Sequence, residues 1–178
     1  MKYFDELQKS MDWLASQDDT LFIGQAVEYP GTAMTNTLSN VDKNKLLELP
    51  VNEDMQMGFT LGLALNGTVP ISIFPRWNFL LLGANQLINH IDKISLMSDG
   101  GYSPRIIIRT SIGSQRPLHP QHQHIADFTE GFQKMCEFVD IIKLNEPEDI
   151  FEAYKFAYLR EDRRPTILVE WGDYYNEK

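Results

Sequence analysis

The chain has 178 residues, 43% of them hydrophobic and 23% charged, the make-up of one ordinary globular domain that can bury a core without disulfides or metals. A net charge of -9 argues against nucleic acid or an anionic membrane surface as partner. The single cysteine, Cys136, cannot close an internal disulfide and falls in a helical pattern, so it reads as packing rather than nucleophile and points to a reducing compartment. No N-terminal signal pattern and no bilayer-length apolar run is present, and the expected location is cytoplasmic.

The first element is a helix with Phe4, Leu7, Met11 and Leu14 on one face, followed by a buried strand from Thr20 that ends at Gly24. Residues 25–45 are polar and contain Pro30 and Gly31, which predicts a long functional loop. The run Leu49-Pro-Val-Asn-Glu-Asp-Met-Gln-Met-Gly-Phe then opens an apolar helix with a carboxylate, Glu53, in its first turn. Asn52 is placed to cap it, and Met57, Leu61, Ala64 and Leu65 follow at helical spacing. A first-turn acid is common for structural reasons alone, so this run leaves a structural and a functional role both open.

Asn66-Gly67 stops that helix, and a strand follows from Val69 with its proline near the start. The spacing of Leu81, Ala84, Leu87, Ile88, Ile91 and Ile94 predicts one long helix over 78–97. Residues 105–110 form a nearly continuous apolar run of the kind buried on both faces of a parallel sheet, followed by a loop over 111–121 rich in Gly, Ser and Pro. A helix through Phe128, Phe132 and Met135 leads to a strand over 139–144. Asn145, with Glu148 three residues on and Pro147 in the first turn, is placed to start a helix through Ile150, Ala153, Tyr154 and Ala157, and residues 166–171 close the series as a strand. Strands alternating with helices give an α/β fold of three layers on a mostly parallel sheet, in a single domain over 1–178. In such sheets ligands bind beyond the carboxyl ends of the strands, where the two long loops and Glu53 fall. Neither a dinucleotide-type nor a Walker-type glycine loop is present.

Three ordered segments, the run around Glu53, Phe74-Pro-Arg-Trp-Asn-Phe, and Pro120-Gln-His-Gln-His, resemble the pyrimidine-binding domain of thiamine-diphosphate enzymes. They most resemble the beta subunit of 2-oxo acid dehydrogenase E1 components. The resemblance implies that Glu53 faces a ring nitrogen of the cofactor's aminopyrimidine, where a carboxyl stabilises the imino tautomer that creates the thiazolium carbon nucleophile. It implies that Phe79 stacks on the pyrimidine and that His122 lies by the substrate entrance, donating to a carboxylate or carbonyl oxygen. Rival readings are a core aromatic for Phe79, a solvated loop histidine for His122, and a metal site from His119, His122 and His124, whose spacing Pro120 breaks. Gln121 and His124 are placed to share the polar role.

The sequence departs from that pattern in two ways. It stops at Lys178, directly after the strand through Trp171, without the C-terminal domain that normally follows, and it lacks the Gly-Asp-Gly to Asn motif that holds diphosphate and magnesium. The resemblance therefore implies half of an active site, completed by a separate alpha-type subunit that binds most of the magnesium, in a heterotetramer or larger assembly. The implied activity is decarboxylation of a 2-oxo acid such as pyruvate, with passage of the acyl or hydroxyalkyl unit to an acceptor. Two alternatives stand beside it: transketolase-like two-carbon transfer between sugars, and a non-catalytic binding or assembly subunit.

Overall fold

The computed structural model describes residues 1–116 and 119–175. Residues 117 and 118 of the expected 111–121 loop, and 176–178 at the end of the expected domain, lie outside the described residues. The helices are α1 (Tyr3–Ala15), α2 (Ala33–Asn36), α3 (Glu53–Leu65), α4 (Trp77–Leu80), α5 (Ile94–Met97), α6 (Thr129–Met135) and α7 (Pro147–Leu159). The strands are β1 (Thr20–Gly24), β2 (Leu46–Glu48), β3 (Val69–Ile73), β4 (Ile107–Ile112), β5 (Asp140–Lys143) and β6 (Thr166–Trp171). They form one sheet in the order β2-β1-β3-β4-β6-β5, and every pairing is parallel.

The alternation of side chains along the central strands builds two cores, one on each face. Phe22, Ile71, Ile73, Ile107 and Leu168 pack with Leu7, Met11 and Leu14 of α1 and Ile150, Tyr154 and Ala157 of α7. Ile106, Ile108, Ile167 and Val169 pack on the opposite face with Met57 of α3, Trp77 of α4 and Phe132 of α6. Because both faces are covered, β4 is buried at every position, including its polar residues Arg109, Thr110 and Ser111.

Four expectations change in detail. The strand expected at 105–110 lies two residues later, where Ile107 pairs with Ile71 of β3 and Thr166 of β6. The polar stretch 25–45 holds the short helix α2, and β2 just beyond it is an edge strand of three half-buried residues. Asn145 does not cap α7; its side chain accepts the indole N–H of Trp171 at 2.9 Å, and the capping position falls on Glu146.

The long helix expected over 78–97 is divided instead into α4, a tight turn at Leu81–Gly83, a π-helical turn at Gln86–Ile91, and α5. Close packing forces the first break: a Cβ on Gly83 would lie 3.1 Å from the Glu53 carbonyl oxygen and 3.2 Å from the Met57 Cβ. The wide π turn ends at Asp92, which is fully buried and whose carboxylate accepts the backbone N–H groups of Glu137, Phe138 and Val139.

Candidate active site

Glu53 owes its position to a polar stripe on an otherwise apolar helix. Asn52 caps α3 by accepting the Met55 N–H at 3.0 Å, and Glu53, Gln56, Thr60 and Ala64 face inward from there. Gln56 Nε2 donates to Ser72 Oγ at 3.1 Å and to the Ile73 carbonyl at 2.9 Å, and Thr60 Oγ1 bonds Ser72 Oγ at 2.8 Å. These buried bonds fix α3 across the end of β3, so its first residue points to the carboxyl ends of β1 and β3. There the connections diverge, β1 leading to β2 at one edge and β3 leading to β4 on the other side, which is the crevice such sheets use for ligands.

Glu53 is 6% exposed, and its Oε1 has one long contact, 3.5 Å from Nε2 of Gln25. That distance is the limit of a hydrogen bond, so the buried carboxylate keeps most of its acceptor capacity. Gln25 in turn lines a cleft of about 410 Å³, whose walls include Ala26, Thr32, Pro75, Arg76, Phe79, Ser111, Ser114, Pro120 and Tyr175. One wall is set by Glu48 at the end of β2, whose carboxylate accepts the N–H groups of Ala26, Val27 and Glu28 at 2.6, 2.8 and 2.9 Å. This concentration of N–H groups on one carboxylate holds Ala26 in a left-handed conformation at φ 54°.

Phe79 is half-buried on the cleft, and its ring centroid lies 5.2 Å from that of His124 with the planes inclined by 45°. His122 sits exposed on a tight turn, Gln121–Gln123, whereas His124 is half-buried and its Nδ1 is enclosed without a partner. The geometry thus places Gln25 and Phe79 on one cleft, with Glu53 buried behind Gln25, and sets His124 against the Phe79 ring, with His122 exposed on the same loop. His119 Nδ1 accepts the Gln121 N–H at 3.0 Å, and among the described residues no group of three or more His, Cys, Asp or Glu side chains is arranged to hold a metal ion.

Arg76 ties this histidine loop to the sheet. Its Nη1 donates to the carbonyls of Gly113 at 3.3 Å and His124 at 3.0 Å, and its Nη2 to the carbonyl of Ser114 at 3.1 Å. Burial pulls the guanidinium below its ordinary pKa, against the opposing field of Asp173. Asp173 braces the same loop by accepting the Gln115 N–H at 2.7 Å.

The sequence reading missed a buried ionic network beneath the cleft. Arg109 of β4 and Glu170 of β6 are both 0% exposed and meet through two bonds of 2.7 and 3.1 Å. The Tyr154 and Tyr175 hydroxyls donate to the same carboxylate, and Arg109 Nη1 reaches Thr37 Oγ1 just after α2 at 3.2 Å. Burial and the Glu170 charge raise both tyrosines well above the ordinary phenol value. Burial alone would lower Arg109, but Glu170 and the phenol oxygens raise it instead. A sequence signal existed: one positive charge in the run expected to be covered on both faces and one negative charge inside the closing strand have to find each other once both are buried.

The family model described as "Transketolase, pyrimidine binding domain" matches residues 1–175. The pyruvate dehydrogenase E1 component subunit beta of Gracilaria tenuistipitata var. liui is 28% identical over 179 residues, covering 98% of this chain and 54% of the relative. The mitochondrial subunit of the same name from Ascaris suum is 29% identical over 170 residues, covering 93% of this chain and 46% of the relative. The chain thus spans about half the length of the curated relatives it matches. A solved structure described as "Split gene transketolase, inactive beta4 tetramer" superposes with a TM-score of 0.73 at 11% identity, over 97% of this chain and 52% of that one. Among the described residues no helix is long and apolar enough to cross a membrane. With the family model matched across nearly its whole length, the chain belongs to the transketolase pyrimidine-binding domain family.

Proposed function

We propose that this chain is the pyrimidine-binding half of a two-chain thiamine-diphosphate enzyme that decarboxylates a 2-oxo acid and transfers the resulting unit to an acceptor. The observation that carries the proposal is the buried Glu53 carboxylate, opening a helix at the sheet's crevice with only a 3.5 Å contact from Gln25. The residues fit an aminopyrimidine: Glu53 offers an acceptor, Phe79 an apolar ring face, and Asn78 and His124 each bury a polar atom with no partner, Oδ1 and Nδ1. When bound, thiamine diphosphate would supply the carbon nucleophile that adds to the 2-oxo group. Glu53 holds and returns a proton at the ring nitrogen it faces, Phe79 fixes the ring's plane, and the loop carrying His122 and His124 covers the substrate side.

Diphosphate and magnesium fall to a partner chain of alpha type in this reading. Exposed apolar side chains support a second chain there: Met55 and Phe59 on α3, and Leu81 and Leu82 on the turn packed against it, while a Cβ on Gly62 would touch nothing within 4 Å. The test is pyruvate decarboxylation by the reconstituted pair, with thiamine diphosphate and magnesium, for native chain and Glu53→Gln. The amide keeps the volume but cannot manage the proton, so turnover falls by roughly 10²- to 10⁴-fold while the melting temperature is kept. Full turnover in the variant would refute the role of Glu53, and activity with sugar donors alone would replace 2-oxo acid decarboxylation by two-carbon transfer.

A further inference from the structure

We infer that Arg76 is the receptor for the donor's carboxylate, an assignment that rests on the 2-oxo acid reading and deepens it. A guanidinium has five N–H donors, and three of those on Arg76 are spent on the carbonyls of Gly113, His124 and Ser114. Gly113 and Ser114 are adjacent in the chain, so their two carbonyls take the Nη1/Nη2 end, and His124 takes the second Nη1 hydrogen. The two remaining donors are Nε–H and the second Nη2–H, which share one edge of the plane. That edge is the one on which a guanidinium binds a carboxylate through two parallel bonds.

The setting agrees with this use. Arg76 lines the same cleft as Phe79, Ser111 and Ser114, and its three hydrogen bonds all go to neutral carbonyls rather than to an acid. The carbonyls fix the fork's orientation, and Asp173 acts on it through its field while its carboxylate accepts the Gln115 N–H, so the open edge is preorganised for an anion. His122, to which the resemblance gives the carboxylate, is exposed on the outside of the loop that Arg76 holds. The assignment therefore divides the work: Arg76 takes the substrate's charge from within the cleft, and His122 is left at the protein surface.

The experiment has two arms. In the first, the Arg Nε–H signals of the isotopically labelled chain are followed by NMR while sodium pyruvate, inorganic phosphate or neutral hydroxyacetone is added. In the second, the reconstituted pair is assayed with pyruvate and with a neutral aldehyde donor, using native chain and Arg76→Lys, which keeps the charge and loses the fork. We expect a saturable shift of the Arg76 signal with pyruvate and none with hydroxyacetone, and a fall of roughly tenfold or more in the ratio of kcat/KM for pyruvate to that for the aldehyde. Should both donors lose activity equally, Arg76 serves only to hold the loop and the inference is wrong. A response to phosphate and none to pyruvate overturns the carboxylate assignment as well. The ratio is indifferent to how well Arg76→Lys folds, since both donors use the same preparation. The NMR arm needs no cofactor, so its failure leaves the Glu53 test standing, and failure of the Glu53 test leaves pyruvate binding readable.

Discussion

Glu170→Gln is expected to be among the most damaging isosteric changes in the chain, although it removes no atom from the core. The native carboxylate accepts two N–H bonds from Arg109, at 2.7 and 3.1 Å, and the hydroxyls of Tyr154 and Tyr175. An amide in its place offers one acceptor atom and two donors, and leaves Arg109 charged at 0% exposure with nothing to balance it. Breaking a buried pair from one side costs about 3–5 kcal/mol, a large share of the roughly 5–15 kcal/mol by which domains are stable. With a urea dependence of about 2 kcal/mol per molar, the unfolding midpoint should fall by about 2 M.

Urea titrations followed by tryptophan fluorescence and by circular dichroism measure this directly. The companion variant, Arg109→Leu with Glu170→Gln, removes the stranded charge and should be more stable than Glu170→Gln alone, because an uncharged polar site in a core costs less than an unpaired ion. A Glu170→Gln variant within about 1 kcal/mol of the native chain, or a double variant less stable than that single one, would refute an uncompensated Arg109 charge.

Gly24→Ala should cost about 1–3 kcal/mol and loosen the cleft, since the new Cβ would lie 2.6 Å from the Ile73 carbonyl oxygen and 3.3 Å from Gln56 Nε2; a chemical-denaturation midpoint equal to that of the native chain would refute the close approach. Stability should also fall steeply above pH 10. Tyr3, Tyr154 and Tyr175 have folded pKa values raised above the ordinary phenol value, by burial first and the Glu170 charge second. For such groups the unfolded chain releases protons first, so their contribution is intact below about pH 10 and is lost above it, at about 1.4 kcal/mol per pH unit for each. Urea midpoints at pH 8, 10 and 11 test this, and a flat profile to pH 11 would contradict the burial of the three phenols.

Much of this architecture was legible because its largest signals are local. The β-branched residues at 69–73 and 166–171 marked strands, and the Asn52 cap with Glu53 behind it fixed the start of α3 to the residue. The misreadings have a common cause in tertiary contact. The spacing over 78–97 is helical throughout, and only the approach of Gly83 to α3 and the burial of Asp92 under the turn before β5 divide it. β2 carries too few residues to show a period, and its place is set by pairing Leu46 and Leu47 with Phe22 and Ile23. Asn145 has the residue type and spacing of a cap, yet the indole of Trp171 competes for its oxygen. At the candidate site, Glu53 and Phe79 were singled out through their segments' resemblance, whereas the relation of His122 to His124 depends on which side of a tight turn each falls. That choice follows from Arg76 taking the His124 carbonyl, a contact across 48 residues with no local trace.

The two loops that flank the cleft are held by the same physical device with opposite sign. After β1, the Glu48 carboxylate gathers three backbone N–H groups and forces Ala26 to positive φ; after β4, the Arg76 guanidinium gathers three backbone carbonyls across a turn where Gly113 and Ser114 have φ of 71° and 58°. Each ion stabilises a conformation that the chain alone disfavours, and a charged partner makes such bonds roughly twice as strong as a neutral one would. Both walls of the crevice are thereby shaped by the protein itself. A ligand arriving there spends little on ordering the loops, so on the proposed reading its binding energy is available for Glu53, Phe79 and Arg76.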